Sequence, residues 1–123
     1  MKPLLLIFIG GGAGSVMRYL IGRWLNHPAY LLPYGTLLVN ILGSLLIGFV
    51  IGFVARSSSF TENHALILAT GFCGGFTTFS AFALENQLFL KSGDYGSFVG
   101  YTLASVLLGL LAVFIGLYLS KIA

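Results

Sequence analysis

Thr70-Gly-Phe-Cys-Gly-Gly-Phe-Thr-Thr-Phe-Ser-Ala-Phe82 is the stretch on which the fold turns. It lies inside an uncharged run from Ala65 to Leu84, so it reads as the middle of a membrane span. The glycine pair Gly74–Gly75, followed by the threonine pair Thr77–Thr78, predicts a helix that breaks and restarts with a threonine as N-cap. Unwound backbone at membrane depth survives only where it is buried in protein or lines a site. Its released carbonyls are oxygen ligands for a cation, as in the broken helices of transporters. The alternative is a continuous helix whose glycines only make room for a neighbour.

The rest of the chain has the same character. Of 123 residues, 58% are hydrophobic and 7% charged, against about 25% charged in soluble domains. Gly35 to Ala55 and Tyr95 to Ser120 also run without a charge. Pro3 to Met17 is shorter and reaches Leu25 if Arg18 and Arg23 are tolerated. Roughly 20 apolar residues cross a bilayer, so four spans are predicted in an all-α integral membrane subunit with membrane lipid as its solvent. Lys2 followed by Leu4–Ile9 reads as the start of the first span rather than a removable signal, because the helix continues past it.

The connections, near Arg23–Tyr34, Arg56–His64 and Phe89–Asp94, leave no room for a nucleic-acid-binding or catalytic domain. No metal-ligand cluster, nucleotide-binding loop or hydrolytic triad is present, so an enzyme is not expected. Cys73 reads as an inert packed thiol. His27 and His64 fall in connections.

With four spans, Lys2, Arg56 and Lys121 share one face, against Arg23 and Lys91 on the other, plus Arg18 if it reaches outward. An excess of basic residues normally sets orientation, and here there is none to use. Either a small bias decides one topology, or the chain inserts both ways and pairs with its inverted copy. Small residues mark packing faces: Gly10, Gly14 and Gly22 in the first span, Gly48 and Gly52 in the second, Ser105, Gly109, Ala112 and Gly116 in the fourth.

Polar groups at span depth face a bundle interior or a cavity. Arg18 either snorkels to the interface or floors an anion vestibule. Asn40 is an interhelical strut or an ion ligand. Glu85 either caps a pore end or pairs with a lysine or arginine. Phe79 and Phe82, three residues apart, share a helix face. A phenyl ring has a positive edge, so the pair is either core packing or a lining that can meet a small anion, with Ser80 between the rings.

Three segments resemble the Fluc (CrcB) fluoride channels: Gly10-Gly-Gly-Ala-Gly-Ser-Val-Met-Arg-Tyr19, Gly35-Thr-Leu-Leu-Val-Asn40 and Gly71-Phe-Cys-Gly-Gly-Phe-Thr-Thr-Phe-Ser-Ala-Phe82. The resemblance implies an antiparallel, dual-topology homodimer with two fluoride pores in a bacterial inner membrane, passively exporting fluoride. By position it implies that Phe79 and Phe82 face fluoride and that Asn40 is the pore asparagine. Arg18 becomes the vestibule arginine, and Ser80, Tyr101 and Ser105 the lining hydroxyls, with Glu85 near the pore end. It also implies a structural sodium on the Gly74 and Thr77 carbonyls of both subunits. Ala81 departs from the family's usual threonine and removes one hydroxyl from the polar track. The rival is a small dual-topology multidrug exporter, which needs an acid in its first span; this first span has none.

Overall fold

The computed structural model describes residues 1–123. Helix α1 spans Lys2–Leu25 and α2 spans Tyr34–Arg56. The third span covers Glu62–Ser92 in pieces: α3 (Glu62–Ala65), a π-helical segment (Leu66–Cys73), α4 (Gly74–Phe76) and α5 (Phe79–Ser92). Helix α6 spans Tyr95–Ile122. All four spans are long and apolar enough to cross a membrane, and they agree with the uncharged runs to within a few residues, apart from the second half of the third. That half extends to Ser92 and leaves a connection of only Gly93 and Asp94. Gly93 takes a φ of 78°, the left-handed conformation that ends a helix. Asp94 caps α6 by accepting from Ser97 N–H at 3.1 Å. Hydrogen bonds from the Ser97 side chain and backbone hold its carboxyl below the ordinary value.

The tightest helix contacts join spans that are not sequence neighbours. Helix α1 packs on the π-helical segment and α4, while α2 packs on α6. In both pairs residue numbers rise together along the contact, so the partners are parallel. A Cβ on Gly10 would strike the Ile67 carbonyl, and one on Gly14 the Phe72 carbonyl. Likewise, a Cβ on Gly48 would strike the Val113 carbonyl and one on Gly116 the Leu45 carbonyl. Such backbone-to-backbone approach is the main source of helix association where lipid offers no hydrophobic drive. The small-residue stripe of α6 therefore divides: Ala112 and Gly116 are buried against α2, whereas Ser105 opens onto a cavity.

The break in the third span is present, but at a different place from the one the glycines suggest. Gly74 remains helical at φ −62°, ψ −38°. Extended backbone begins at Thr77 (φ −86°, ψ 157°) and continues at Thr78 (φ −150°, ψ 117°). Thr78 is the N-cap of α5, its hydroxyl accepting from Ala81 N–H at 3.1 Å. Gly75 makes room for a neighbour, since a Cβ there would strike the Gly11 carbonyl of α1. The two readings of this stretch thus apply to different residues of it. The π-helical turn before the break had no sequence signal.

Only 18 of 123 residues are buried, and Phe79, Leu84, Leu88, Leu107 and Phe114 are among many large apolar side chains left exposed. This outer surface suits lipid and other apolar neighbours.

Gly116→Ala is expected to destabilise the protein by about 1–3 kcal/mol through overpacking. Gly100→Ala on the same helix meets nothing within 4 Å, and should be neutral or slightly stabilising. Thermal unfolding of the two variants in detergent checks the contrast.

Candidate functional site: a polar route past the helix break

Asn40, on α2, holds the break with both ends of its amide. Its Oδ1 accepts from Thr78 N–H at 2.8 Å, and its Nδ2 donates to the Thr78 carbonyl at 3.2 Å. This answers how a non-helical residue can exist at membrane depth, where each unpaired backbone group is costly. The clasp and the Thr78 cap each divert a backbone donor. In a continuous helix Thr78 N–H would bond the Gly74 carbonyl, and Ala81 N–H, taken here by the Thr78 hydroxyl, would bond the Thr77 carbonyl. Both carbonyls lose their helical partners.

Arg18 reaches this region as well. Its Nε donates to the Gly75 carbonyl at 2.9 Å, so it is turned inward to the break rather than stretched to the interface. Arg18, Arg23, Asn26, Thr36, Thr78, Ala81 and Glu85 help to line a cavity of about 320 Å³ at the α1–α2 connection end. Ala81 therefore offers this cavity a methyl group and no hydroxyl.

Glu85 is held by hydroxyls, not by a lysine or arginine. Thr36 Oγ1 donates to its Oε2 at 2.7 Å and Tyr101 OH to its Oε1 at 2.7 Å. Thr36 in turn exchanges two bonds with Asn26 at 3.0 and 3.1 Å. Neither Thr36 nor Asn26 was singled out in the sequence. Thr36 sits at the edge of an uncharged run, and Asn26 looks like an ordinary connection residue. On α5 and α6, buried Asn86 donates to Thr102 Oγ1 at 3.1 Å, while its Oδ1 has no partner.

On the other side of the break lies a cavity of about 620 Å³. Asn40, Ser44, Thr70, Gly74, Thr77, Thr78, Phe79, Phe82 and Ser105 are among its lining residues. Thr78 borders both cavities, so the break lies between them. The Phe79 and Phe82 ring centroids lie 5.9 Å apart, and Phe82 leans on Tyr101 at 5.1 Å. Phe79 is 79% exposed.

The sequence-selected hydroxyls separate. Ser105 lines the larger cavity with its Oγ unpartnered. Ser80 lies exposed, 3.3 Å from the Thr78 hydroxyl. Tyr101 is fully buried and committed to Glu85. Cys73 is buried at the cavity wall as a free thiol.

The profile of the family described as "CrcB-like protein, Camphor Resistance (CrcB)" matches residues 5–117. The chain belongs to the CrcB family. It is 48% identical over 122 residues to a Gloeothece citriformis protein named fluoride-specific ion channel FluC, with 98% of each chain covered. A Bacteroides fragilis protein of the same name is 50% identical over 125 residues, again with 98% of each chain covered. A third, from Leptospira interrogans, is 48% identical over 121 residues, covering 98% of this chain and 95% of its own. In this CrcB-family chain the matched region includes the break, both cavities and the Asn40–Thr78 clasp.

Asn40→Leu should leave the Thr78 N–H and carbonyl unpaired at membrane depth, at about 1–3 kcal/mol for each group. A lowered unfolding midpoint in detergent, with faster hydrogen exchange at Thr78, is the expected result.

Proposed function

We propose that this protein is a fluoride-specific ion channel that lets the anion leave the cytoplasm passively and so limits its toxicity. The carrying observation is that Asn40, Phe79, Phe82 and the unpartnered Ser105 hydroxyl line one cavity at membrane depth, in a chain whose relatives are named for fluoride conduction.

Fluoride is small and strongly hydrated, and an ion in low dielectric with nothing to replace its water is prohibitively costly. A pore must supply substitute donors while binding weakly enough to release. Here the substitutes are hydroxyls, the Asn40 amide and the positive edges of two phenyl rings. Arg18, drawn inward to the Gly75 carbonyl, raises the potential at the vestibule end. Fluoride enters a cell as the neutral acid, ionises inside, and needs only a passive exit.

The working unit in this proposal is an antiparallel homodimer of dual topology in a bacterial inner membrane. The near-equal charge of the two faces supports it, as do the exposed Phe79 ring and the open wall of the larger cavity. A second copy would complete each path. The Gly74 and Thr77 carbonyls, released by the Asn40 clasp and the Thr78 cap, suit a hard cation. We assign them to a structural sodium shared between subunits, which adds fixed positive charge and is not transported.

Replacing Phe79 or Phe82 by isoleucine keeps much of the volume but removes the positive edge. Fluoride efflux from liposomes, read by electrode, should drop at least tenfold for each variant, a barrier raised by about 1.4 kcal/mol or more. Asn40→Asp should also stop it, because an ionised carboxylate has no donor and repels the anion. Parental efflux in both phenylalanine variants would reduce the rings to packing.

A C-terminal tag on the reconstituted protein should be labelled from both faces of the vesicle. Labelling from one face alone would rule out dual topology.

A further inference from the structure

Serine and threonine at helical span depth usually satisfy their hydroxyl locally, by donating to a carbonyl three or four residues back. This chain does so repeatedly. Thr77 Oγ1 donates to the Cys73 carbonyl at 2.8 Å and Ser120 Oγ to the Leu117 carbonyl at 2.6 Å. Ser105 Oγ makes no such bond. Ser44, on α2, makes none either, and it borders the same cavity. Ser44 stands one turn beyond Asn40, so the two share a helix face. Across the gap is α6: a Cβ built on Gly109 would lie 3.8 Å from Ser44 Oγ. Gly109 is one turn beyond Ser105. The cavity wall therefore holds two hydroxyls without partners on facing helices, Ser44 beside the Asn40 turn and the buried Ser105 Oγ.

A hydroxyl that gives up an available backbone acceptor at this depth must be used by something else. The occupant must accept hydrogen bonds and must reach the cavity through the Asn40 region. Fluoride, the strongest acceptor among the halides, meets both conditions.

We propose that Ser44 is a further permeation residue. Its hydroxyl, with that of Ser105, takes over donation to the anion on the side of Asn40 away from the vestibule. The proposal rests on the fluoride reading above. It extends the path along the α2–α6 groove, beyond the phenylalanine pair.

The test uses the full chain in liposomes with fluoride efflux as readout, alongside the dimer fraction in detergent. Fluoride efflux by the parent protein tests the channel reading itself, independently of Ser44. Given that efflux, Ser44→Ala should lower it roughly tenfold, the cost of one lost hydrogen bond to a charged group, with the dimer fraction unchanged. Ser44→Thr should keep most of the flux. A Cβ at Gly109 would meet only Ser44 Oγ, at 3.8 Å, and Ser44→Ala removes that atom, so adding Gly109→Ser to Ser44→Ala should return a hydroxyl to the same region and recover flux. Parental efflux in Ser44→Ala overturns the proposal. So does a loss that neither Ser44→Thr nor the Gly109→Ser addition repairs, because shape rather than the hydroxyl would then be responsible. A fall in dimer fraction with parental flux per dimer also overturns it, since Ser44 would then be an interface contact.

Discussion

A lipid interior contains no water to satisfy exposed backbone, so every irregular residue in a span needs a protein partner. In this chain that constraint falls on Thr77 and Thr78, and the Asn40 amide meets it with two hydrogen bonds to Thr78. Much else follows from that clasp. It places α2 against the break and releases the Gly74 carbonyl, while the Thr78 cap releases that of Thr77. It also leaves Thr78 as the shared border of two cavities. One side chain thus couples the stability of the span to the shape of the cavities beside it.

The packing that surrounds the break is built for close approach. Helix α1 lies on the first half of the third span and α2 on α6, each through glycines whose Cβ would strike backbone. Two tightly joined parallel pairs result, and α5 leaves the break comparatively free of either. Its ties to α6 are largely polar and aromatic: Glu85 to Tyr101, Asn86 to Thr102, and Phe82 against the Tyr101 ring. Fixed small-residue seams on one side and a lightly held half-helix on the other leave the intervening volume open. A filled four-helix core has no such volume.

Polarity is divided along the route in a chemically consistent way. The vestibule end has arginines, and its one acid is occupied by two hydroxyl donors. The deeper cavity has no charged lining side chain, only amide, hydroxyl, backbone and ring edge. On the proposed channel reading, charge would concentrate an anion at the entrance, and neutral donors beyond it would hold the ion loosely enough to pass.

The sequence alone determined the four spans, because uncharged runs of this length have no other stable solvent. It also pointed to a break in the third span at the Gly74–Gly75 pair with a threonine N-cap beyond it, against a continuous helix as the alternative, and it set Phe79 and Phe82 on one helix face. Family resemblance in three segments supplied the chemistry. Only the tertiary structure decided which residues do the breaking. Gly74 and Gly75 stay helical, and Gly75 serves the approach of α1, because a glycine's missing Cβ can serve flexibility or contact and local sequence does not distinguish them. Tertiary structure also turned Arg18 inward and gave Glu85 two hydroxyl partners from α2 and α6. It paired parallel, non-sequential helices and left Ser44 and Ser105 facing one cavity. Each of these depends on a partner distant in the chain, and hydrogen bonds and close contacts are settled by what lies opposite in space.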